Sequence, residues 1–368
     1  MDNLTHSLAG AVLGQLGLKK KTGLGMATLI IAANIPDIDA IATLLDGVQH
    51  LAIRRGITHG PIAMVILPLL LTGTMILFDG WQTKRGKRPA DRLPIHRGWL
   101  LALAYIGCLS HPALDWLNSY GIRLLEPFSS QWFYGDSIFI IDIWIWAALI
   151  TGVWISRRRE KKGRDDWQRP AWVSFAAICA YIFANGLITG KAEDEATKTV
   201  QYIYQLEPTL VVANPVPITF WKREILWRFE LIDKSGTGAL VGSGNYSLLE
   251  GASLDEGRNH STALSLNRKI DDGGPILNGH RARTSGAANI HLDYLKSSNQ
   301  DVDAFLFWSR MPLIGWRFED DRSKNGYEFV IKDQRFDSPL VADRFSVEAY
   351  IDEQTVRRLR AEIVKSHE

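Results

Sequence analysis

Residues 54–78 read RRGITHGPIAMVILPLLLTGTMILF: two arginines and a histidine, then 19 residues from Gly60 to Phe78 without a charge. About 20 mostly apolar residues cross a bilayer as a helix, so residues 60–78 read as a membrane span. Three further runs have the same character, at residues 98–117, 138–155 and 171–190; the third of the four carries one acid, Asp142. Two shorter apolar runs, residues 7–18 and 23–35, precede them. These fit short spans, a re-entrant hairpin or interfacial helices. Ala9, Gly10, Ala11, Gly14 and Gly17 suit close helix packing in a membrane. The predicted fold is thus an α-helical polytopic membrane domain over residues 1–190, with four long spans and two short N-terminal membrane helices. A mostly antiparallel β domain is predicted over 191–368.

The composition of the 368 residues conceals this division. The net charge is +2, and the mean hydropathy is unremarkable because a polar half dilutes an apolar one. Near-neutrality without a concentrated basic face argues against a nucleic-acid binder. Cys108 and Cys179 both lie in apolar runs and indicate neither a disulfide framework nor a thiolate site. The start, Met1-Asp2-Asn3-Leu4-Thr5-His6, lacks the basic residues of a cleavable signal, so the first apolar segment is expected to be retained.

Basic residues predict the orientation. Lys19, Lys20 and Lys21 fill the first connection. Six lysines and arginines lie between Lys84 and Arg97, and seven between Arg157 and Arg169. If all six segments cross, these three loops share one side, the cytoplasm. Both termini and the C-terminal domain then face the other side of the inner (plasma) membrane, the periplasm in a Gram-negative cell. Trp81, Trp99, Trp132, Trp154 and Trp172 stand near segment ends, where tryptophan anchors at the interface.

This topology brings His6, Asp37, Asp39, His59, His111 and Asp115 to the non-cytoplasmic face, although none of them entered the charge count. His111 and Asp115 are spaced i and i+4, on one side of a helix. Singly, each has a structural alternative: a histidine can cap a helix, and Asp37 and Asp39 can shape the turn after Pro36. As a set at membrane depth, acids and histidines mark function. Imidazoles with carboxylates suit zinc, manganese or iron, zinc foremost. Asp142 reads as a second partner to a ligand or a packing residue ahead of a ligand. Arg55 can hold an anionic group such as phosphate, or lipid head groups.

At these residues the chain resembles the YdjM-type family of membrane-bound, metal-dependent hydrolases. The matching pieces are Asn3-x-x-His6, Pro36-Asp37-Ile38-Asp39, Arg55-Gly56-Ile57-Thr58-His59, and His111-x-x-x-Asp115 followed by Asn118 and Gly121. The stretch from Trp132 through Asp136 to Asp142 also looks like the family. The family often has a histidine two residues before the Gly-Ile-Thr-His run; here that position is Arg54, one ligand fewer. The order His, Asp, His, His-x-x-x-Asp is similar, more distantly, to zinc-dependent phospholipases C and their nuclease relatives, helical enzymes with clustered zinc ions. The resemblance implies a metal-activated water attacking a lipid or phosphoester substrate. The metal would be held by His6, Asp37, Asp39, His59, His111 and Asp115, with Asp37, Asp39 and Arg55 catalytic. A transporter using the same residues, or a non-catalytic scaffold, is the alternative.

Beyond Gly190, β-rich runs at 199–206, 210–213, 225–232, 239–248, 304–308, 327–331 and 345–351 alternate with Gly, Pro, Asn and Asp. Asn214-Pro215 with Trp221 and Trp227, then Trp308 through Pro312 and Asp333 through Phe336, resemble the C-terminal portion of some family members. His260, His280 and His291 are expected to be loop histidines. Residues 353–368 read as a charged surface helix with Val356, Leu359 and Ile363 at helical spacing.

Overall fold

Small residues set how the first helices pack. Helix α1 (Asn3–Gln15) starts at Asp2, whose carboxylate accepts the Leu4 and Thr5 amides at 3.0 Å each. A Cβ on Gly10 would lie 2.7 Å from the Leu29 carbonyl oxygen of α2 (Gly25–Ala32). A Cβ on Gly107 of α5 (Arg97–Trp116) would lie 2.6 Å from the Ala32 Cβ. The three backbones therefore touch only because these positions lack a side chain. The computed structural model describes residues 1–45, 47–233, 236–254, 293–321, 324–337 and 342–366. His260, His280 and His291 lie outside them.

Two compact units emerge. The first comprises Met1–Ile41, Ile53–Thr189 and Pro215–Trp221; the second comprises Ala42–Ala52, Gly190–Asn214 and Lys222–Glu368. In the first, α4 (Pro61–Lys84) packs with α2 and α5 through Ala32, Met64, Leu71, Leu100, Ala104 and Cys108. Helices α6 (Ile143–Lys161) and α7 (Arg169–Tyr204) enclose Val12, Ile145, Leu149 and Ile178 with α1. The short α3 (Gln49–Ile53) precedes α4. Outward-facing Val65, Ile66, Leu69, Leu70 and Leu77 on α4, and Val173, Phe183 and Leu187 on α7, are exposed. Apolar outer faces of this extent belong in lipid.

Among the described residues, only α4 and α7 are single helices long and apolar enough to cross a membrane, which corrects the four long spans read from the sequence. The other two runs do form helices, but their apolar parts are short. Helix α6 begins after Asp142, which caps it through the Trp144 and Ile145 amides, so residues 138–141 are not helical. Its charge-free part, residues 143–156, spans about 21 Å at ~1.5 Å per residue, short of the ~30 Å hydrocarbon core. Helix α5 spends its last turns on buried His111 and Asp115. Helix α2 bends by 45° into a 3-10 stretch, Ile35–Leu44, and this pair is a broken span or a re-entrant loop. Pro36 stands at the bend.

The three basic connections meet at one end of this unit. Lys19 pairs with Glu160; Lys20 lies 4.4 Å over the Trp167 ring and Lys21 5.1 Å over Trp99. The Gly23 amide donates to the Pro94 carbonyl at 3.0 Å.

In the second unit, β1 (Leu210–Pro215), β2 (Lys222–Asp233), β3 (Gly236–Ser247) and β4 (Gly251–Leu254) form one sheet in that order. Strands β5 (Pro312–Asp321), β6 (Lys324–Asp333) and β7 (Ser346–Asp352) form another. The pairs β2–β3, β3–β4, β5–β6 and β6–β7 are antiparallel. Gly242 lies opposite Trp227, whose indole occupies the space a Cβ would need. Two runs read as strands are helical instead. Residues 199–206 largely continue α7, because Ala192, Ala196 and Val200 repeat every four residues and are fully buried. Residues 304–308 end α8 (Gln300–Trp308), which Asn299 caps through the Asp301 and Val302 amides and which buries Val302, Phe305 and Trp308. Helix α9 (Glu353–Ser366) follows β7 and buries Val356 and Leu359.

Candidate metal centre

The turn Pro36-Asp37-Ile38-Asp39 sorts its side chains by polarity. Asp37 and Asp39 are buried while Ile38, between them, is 61 % exposed. The 3-10 geometry holds both acids inward, and the Asp37 amide donates to the Asn34 carbonyl at 3.1 Å. His59 ends the short 3-10 turn before α4, and α5 supplies His111 and Asp115 from successive turns. One ligand atom from each of Asp37, His59, His111 and Asp115 lies within 4.8 Å of every other. These four buried side chains can hold a metal ion.

Hydrogen bonds fix the protons on both imidazoles. The His111 Nδ1 lies 2.7 Å from the Ala33 carbonyl oxygen, which can only accept, so Nδ1 carries hydrogen. The Thr58 hydroxyl donates to Asp39 Oδ2 at 2.7 Å and has no second hydrogen to give. It therefore accepts at the His59 Nδ1, 2.9 Å away, which also faces Asp39 Oδ2 at 3.4 Å. Burial pushes the His59 pKa below its ordinary value and favours the neutral ring. With both rings neutral, the two Nε2 atoms face each other without hydrogen at 3.1 Å. Lone pairs repel at that distance unless a proton or a metal ion lies between them. Two imidazoles on one tetrahedral zinc, each about 2.0–2.1 Å from the ion, stand roughly 3.3 Å apart. The donor set and its spacing fit a divalent ion.

The carboxylates complete the arrangement. Asp115 Oδ2 is 3.5 Å from His111 Nε2 and 3.6 Å from His59 Nε2. Asp37 Oδ1 is 3.8 Å from His111 Nε2 and 3.3 Å from Arg54 Nη2; its buried Oδ2 has no hydrogen-bond partner among the described residues. Asp39 is placed differently. Its Oδ2 accepts the Arg55 amide at 2.8 Å as well as Thr58, so it faces the outer nitrogen of His59. His6 stacks on His111 with ring centroids 3.8 Å apart, and its Nε2 is 3.3 Å from Asp115 Oδ1, the oxygen that also pairs with the Met1 amino group.

Arg55 is buried beside the cluster with φ +55, a left-handed conformation unusual for a side-chain-bearing residue. Its carbonyl accepts the Arg123 amide at 2.9 Å; Nη1 donates to Asn118 Oδ1 at 2.9 Å and to the Gly121 carbonyl at 3.3 Å. The guanidinium lies 4.5 Å over the Tyr120 ring, and Nε forms an ion pair with Asp115 Oδ2 at 3.0 Å without hydrogen-bond geometry. Burial lowers its pKa to about 10, so it stays cationic at neutral pH. Asp142 lies apart from this network: it caps α6 and accepts the Tyr181 hydroxyl at 2.9 Å. Sequence reasoning gave no role to Thr58, Asn118, Tyr120 or the Ala33 carbonyl. Thr58 and Asn118 stood inside the quoted motifs, but a backbone carbonyl leaves no residue-type signal.

Neither the curated proteins nor the solved structures contain a significant match. The model of the YdjM inner membrane protein family matches residues 1–192, the segment that carries every residue of the cluster, and the chain belongs to that family.

Proposed function

We propose that this protein is a membrane-bound, metal-dependent hydrolase acting on a lipid or phosphoester substrate. The carrying observation is the cluster of His59 and His111, with Nε2 atoms 3.1 Å apart, and the flanking carboxylates of Asp37 and Asp115, all four buried, with one ligand atom from each within 4.8 Å of every other. These four residues would hold the ion, and their mixed nitrogen and oxygen set suits zinc, as it would manganese or iron. A bound divalent ion lowers the pKa of a water and polarises the scissile group. The chain supplies the rest. Asp37 Oδ2, buried and unpartnered among the described residues, is the atom on which a proton is taken. Asp39 orients His59 and holds the Arg55 amide. Arg55, fixed by Asn118, Gly121 and Tyr120, offers its charge to an anionic substrate group.

The surroundings support a lipid or lipid-linked substrate. Exposed Ile38, Ile41, Ile57 and Trp116 are neighbours in sequence of the inward-facing ligands, so an apolar chain has a surface to lie on. The convergence of the basic loops at one end supports their cytoplasmic assignment. On this reading the metal centre lies at the non-cytoplasmic face, with residues 1–190 as the membrane domain and 191–368 as a non-cytoplasmic β-rich domain.

The test is metal analysis of detergent-purified protein with a hydrolysis screen over phosphoesters and phospholipids. Wild type should carry divalent metal and turn over a substrate, and His59→Ala should lose both. A wild type that binds no divalent metal near neutral pH refutes the proposal.

A further inference from the structure

One side of α6 changes character along its length. Two rows at four-residue spacing lie side by side: Ile150, Trp154, Arg158 and Lys162, and Val153, Arg157 and Lys161. Each row is apolar at its start and cationic at its end. With Leu8 of α1, these side chains line an open groove of about 660 Å³, a volume within the usual range of ligand sites.

The cations of the groove have no acid partner. Glu160 is taken by Lys19 and Lys20, and Asp166 by Arg159 and Arg164. Among the described residues Arg157, Lys161 and Lys162 enter no ion pair, and Arg158 lies 5.5 Å over the ring of exposed Trp154. Arg157 with Lys161 and Arg158 with Lys162 are like-charge pairs at i and i+4, which repel on a helix. The helix dipole favours cations at a C-terminus, but it explains neither the repelling pairs nor the apolar half of the groove. An anion among the four relieves the repulsion. The sequence of apolar wall, tryptophan and cations matches a phospholipid read from acyl chain through interface to phosphate. From Ile150 to Lys162 the groove runs about 18 Å at ~1.5 Å per residue, one leaflet of a hydrocarbon core about 30 Å thick with the start of its headgroup layer.

The groove is separate from the metal centre. The Trp146 indole donates to Thr5 Oγ1 at 2.8 Å, and the Ser156 hydroxyl donates to Gln15 Oε1 at 3.2 Å. Helices α1 and α6 therefore run side by side in the same direction, and the cations lie at the end remote from His6. We propose that this groove binds an anionic phospholipid, with its phosphate among Arg157, Arg158, Lys161 and Lys162 and an acyl chain along Ile150, Val153 and Trp154. Binding there does not depend on a metal.

Full-length protein in neutral detergent is mixed with phosphatidylglycerol or with zwitterionic phosphatidylcholine, and bound lipid is counted by native mass spectrometry. Wild type should retain phosphatidylglycerol in preference to phosphatidylcholine. Arg157→Gln with Lys161→Gln should weaken phosphatidylglycerol binding about 30-fold, or about 5-fold for each basic residue removed. Lys84→Gln with Lys87→Gln makes the same charge change in another basic connection and should leave binding as in wild type. Equal losses in the two double variants would make the attraction diffuse and overturn the site. Equal retention of both lipids by wild type also overturns it, and that comparison decides even if a variant fails to fold. Inorganic phosphate should not displace the lipid; displacement would make the groove a phosphate site and refute the lipid assignment.

Discussion

Replacing Asp39 by asparagine separates a ligand from a residue that positions one. Residue type puts Asp37 and Asp39 on equal terms, two residues apart in one turn. The structure does not: Asp37 points an oxygen into the cluster, whereas Asp39 Oδ2 receives Arg55 N at 2.8 Å, Thr58 Oγ1 at 2.7 Å and faces His59 Nδ1 at 3.4 Å. Asparagine keeps one acceptor oxygen but loses the charge that raises the basicity of His59. Removing the partner of a ligand histidine costs about 10–100-fold in metal affinity, or about 1.4–2.7 kcal/mol. Asp37→Asn, which weakens a direct ligand, should cost more. Asp39→Asn should also lower the melting temperature, because each hydrogen bond to a charged acceptor contributes about 1.5–3 kcal/mol and one of them holds Arg55 in its left-handed conformation. The assay is competition for zinc against a chromophoric chelator, in detergent, for wild type and both variants. An Asp39→Asn loss equal to that of Asp37→Asn would make Asp39 a ligand. An unchanged affinity would refute the proton assignment at His59.

Arg55→Lys keeps the charge but cannot reach Asn118, Gly121 and Asp115 together; kcat/KM in the hydrolysis assay should fall by about 10²–10³-fold, as for loss of a preorganised donor, with metal content unchanged. Asp142→Ala should destabilise the protein by about 1 kcal/mol through the lost cap of α6, seen as a lower melting temperature with full metal content; loss of metal would make Asp142 part of the centre. Burial alone would raise the Asp333 carboxyl, but the Arg335 guanidinium outweighs it, with help from the Ser309 hydroxyl, and holds the pKa below the ordinary value. The folded-state pKa is depressed, so this stabilisation is present above about pH 4 and is lost as pH falls through the lower folded value. Tryptophan fluorescence should report acid unfolding around Trp308 there, and Asp333→Asn should abolish that pH dependence while costing about 3–5 kcal/mol at neutral pH. Gly107→Leu should prevent helix packing, since even a Cβ meets Ala32 and Leu29; normal yield of folded protein would contradict the close approach.

Residue type and spacing made the candidate site legible where its chemistry is carried by side chains. His111 and Asp115 could be paired from i and i+4 alone, and the acids after Pro36 from their density at membrane depth. Protonation was not legible, because it depends on Ala33 O and the single hydrogen of Thr58, which only the fold brings to the rings. Span length failed for a related reason. Hydropathy counts residues 138–141 as part of a helix, but Asp142 starts the helix after them, and a cap four residues into an apolar run is invisible to a window average. The β runs went wrong at 199–206 and 304–308 because short apolar alternation fits either period; Asn299 and the buried alanines of α7 decide it.

Arg54 shows how far a departure from a motif can be read. The family resemblance puts a histidine there, and from sequence its replacement means one ligand fewer. In the structure the position still faces the centre: Nη2 is 3.3 Å from Asp37 Oδ1 and Nε 3.9 Å from Asp39 Oδ1. A neutral imidazole would add a donor to the metal; the guanidinium adds a fixed positive charge beside the same carboxylates. With Arg55 it brings two cations against the three acids Asp37, Asp39 and Asp115, so a single divalent ion already turns this set of side chains positive. An anion entering such a centre gains attraction without displacing a ligand. The substitution therefore strengthens the case for an anionic substrate group while it removes a ligand.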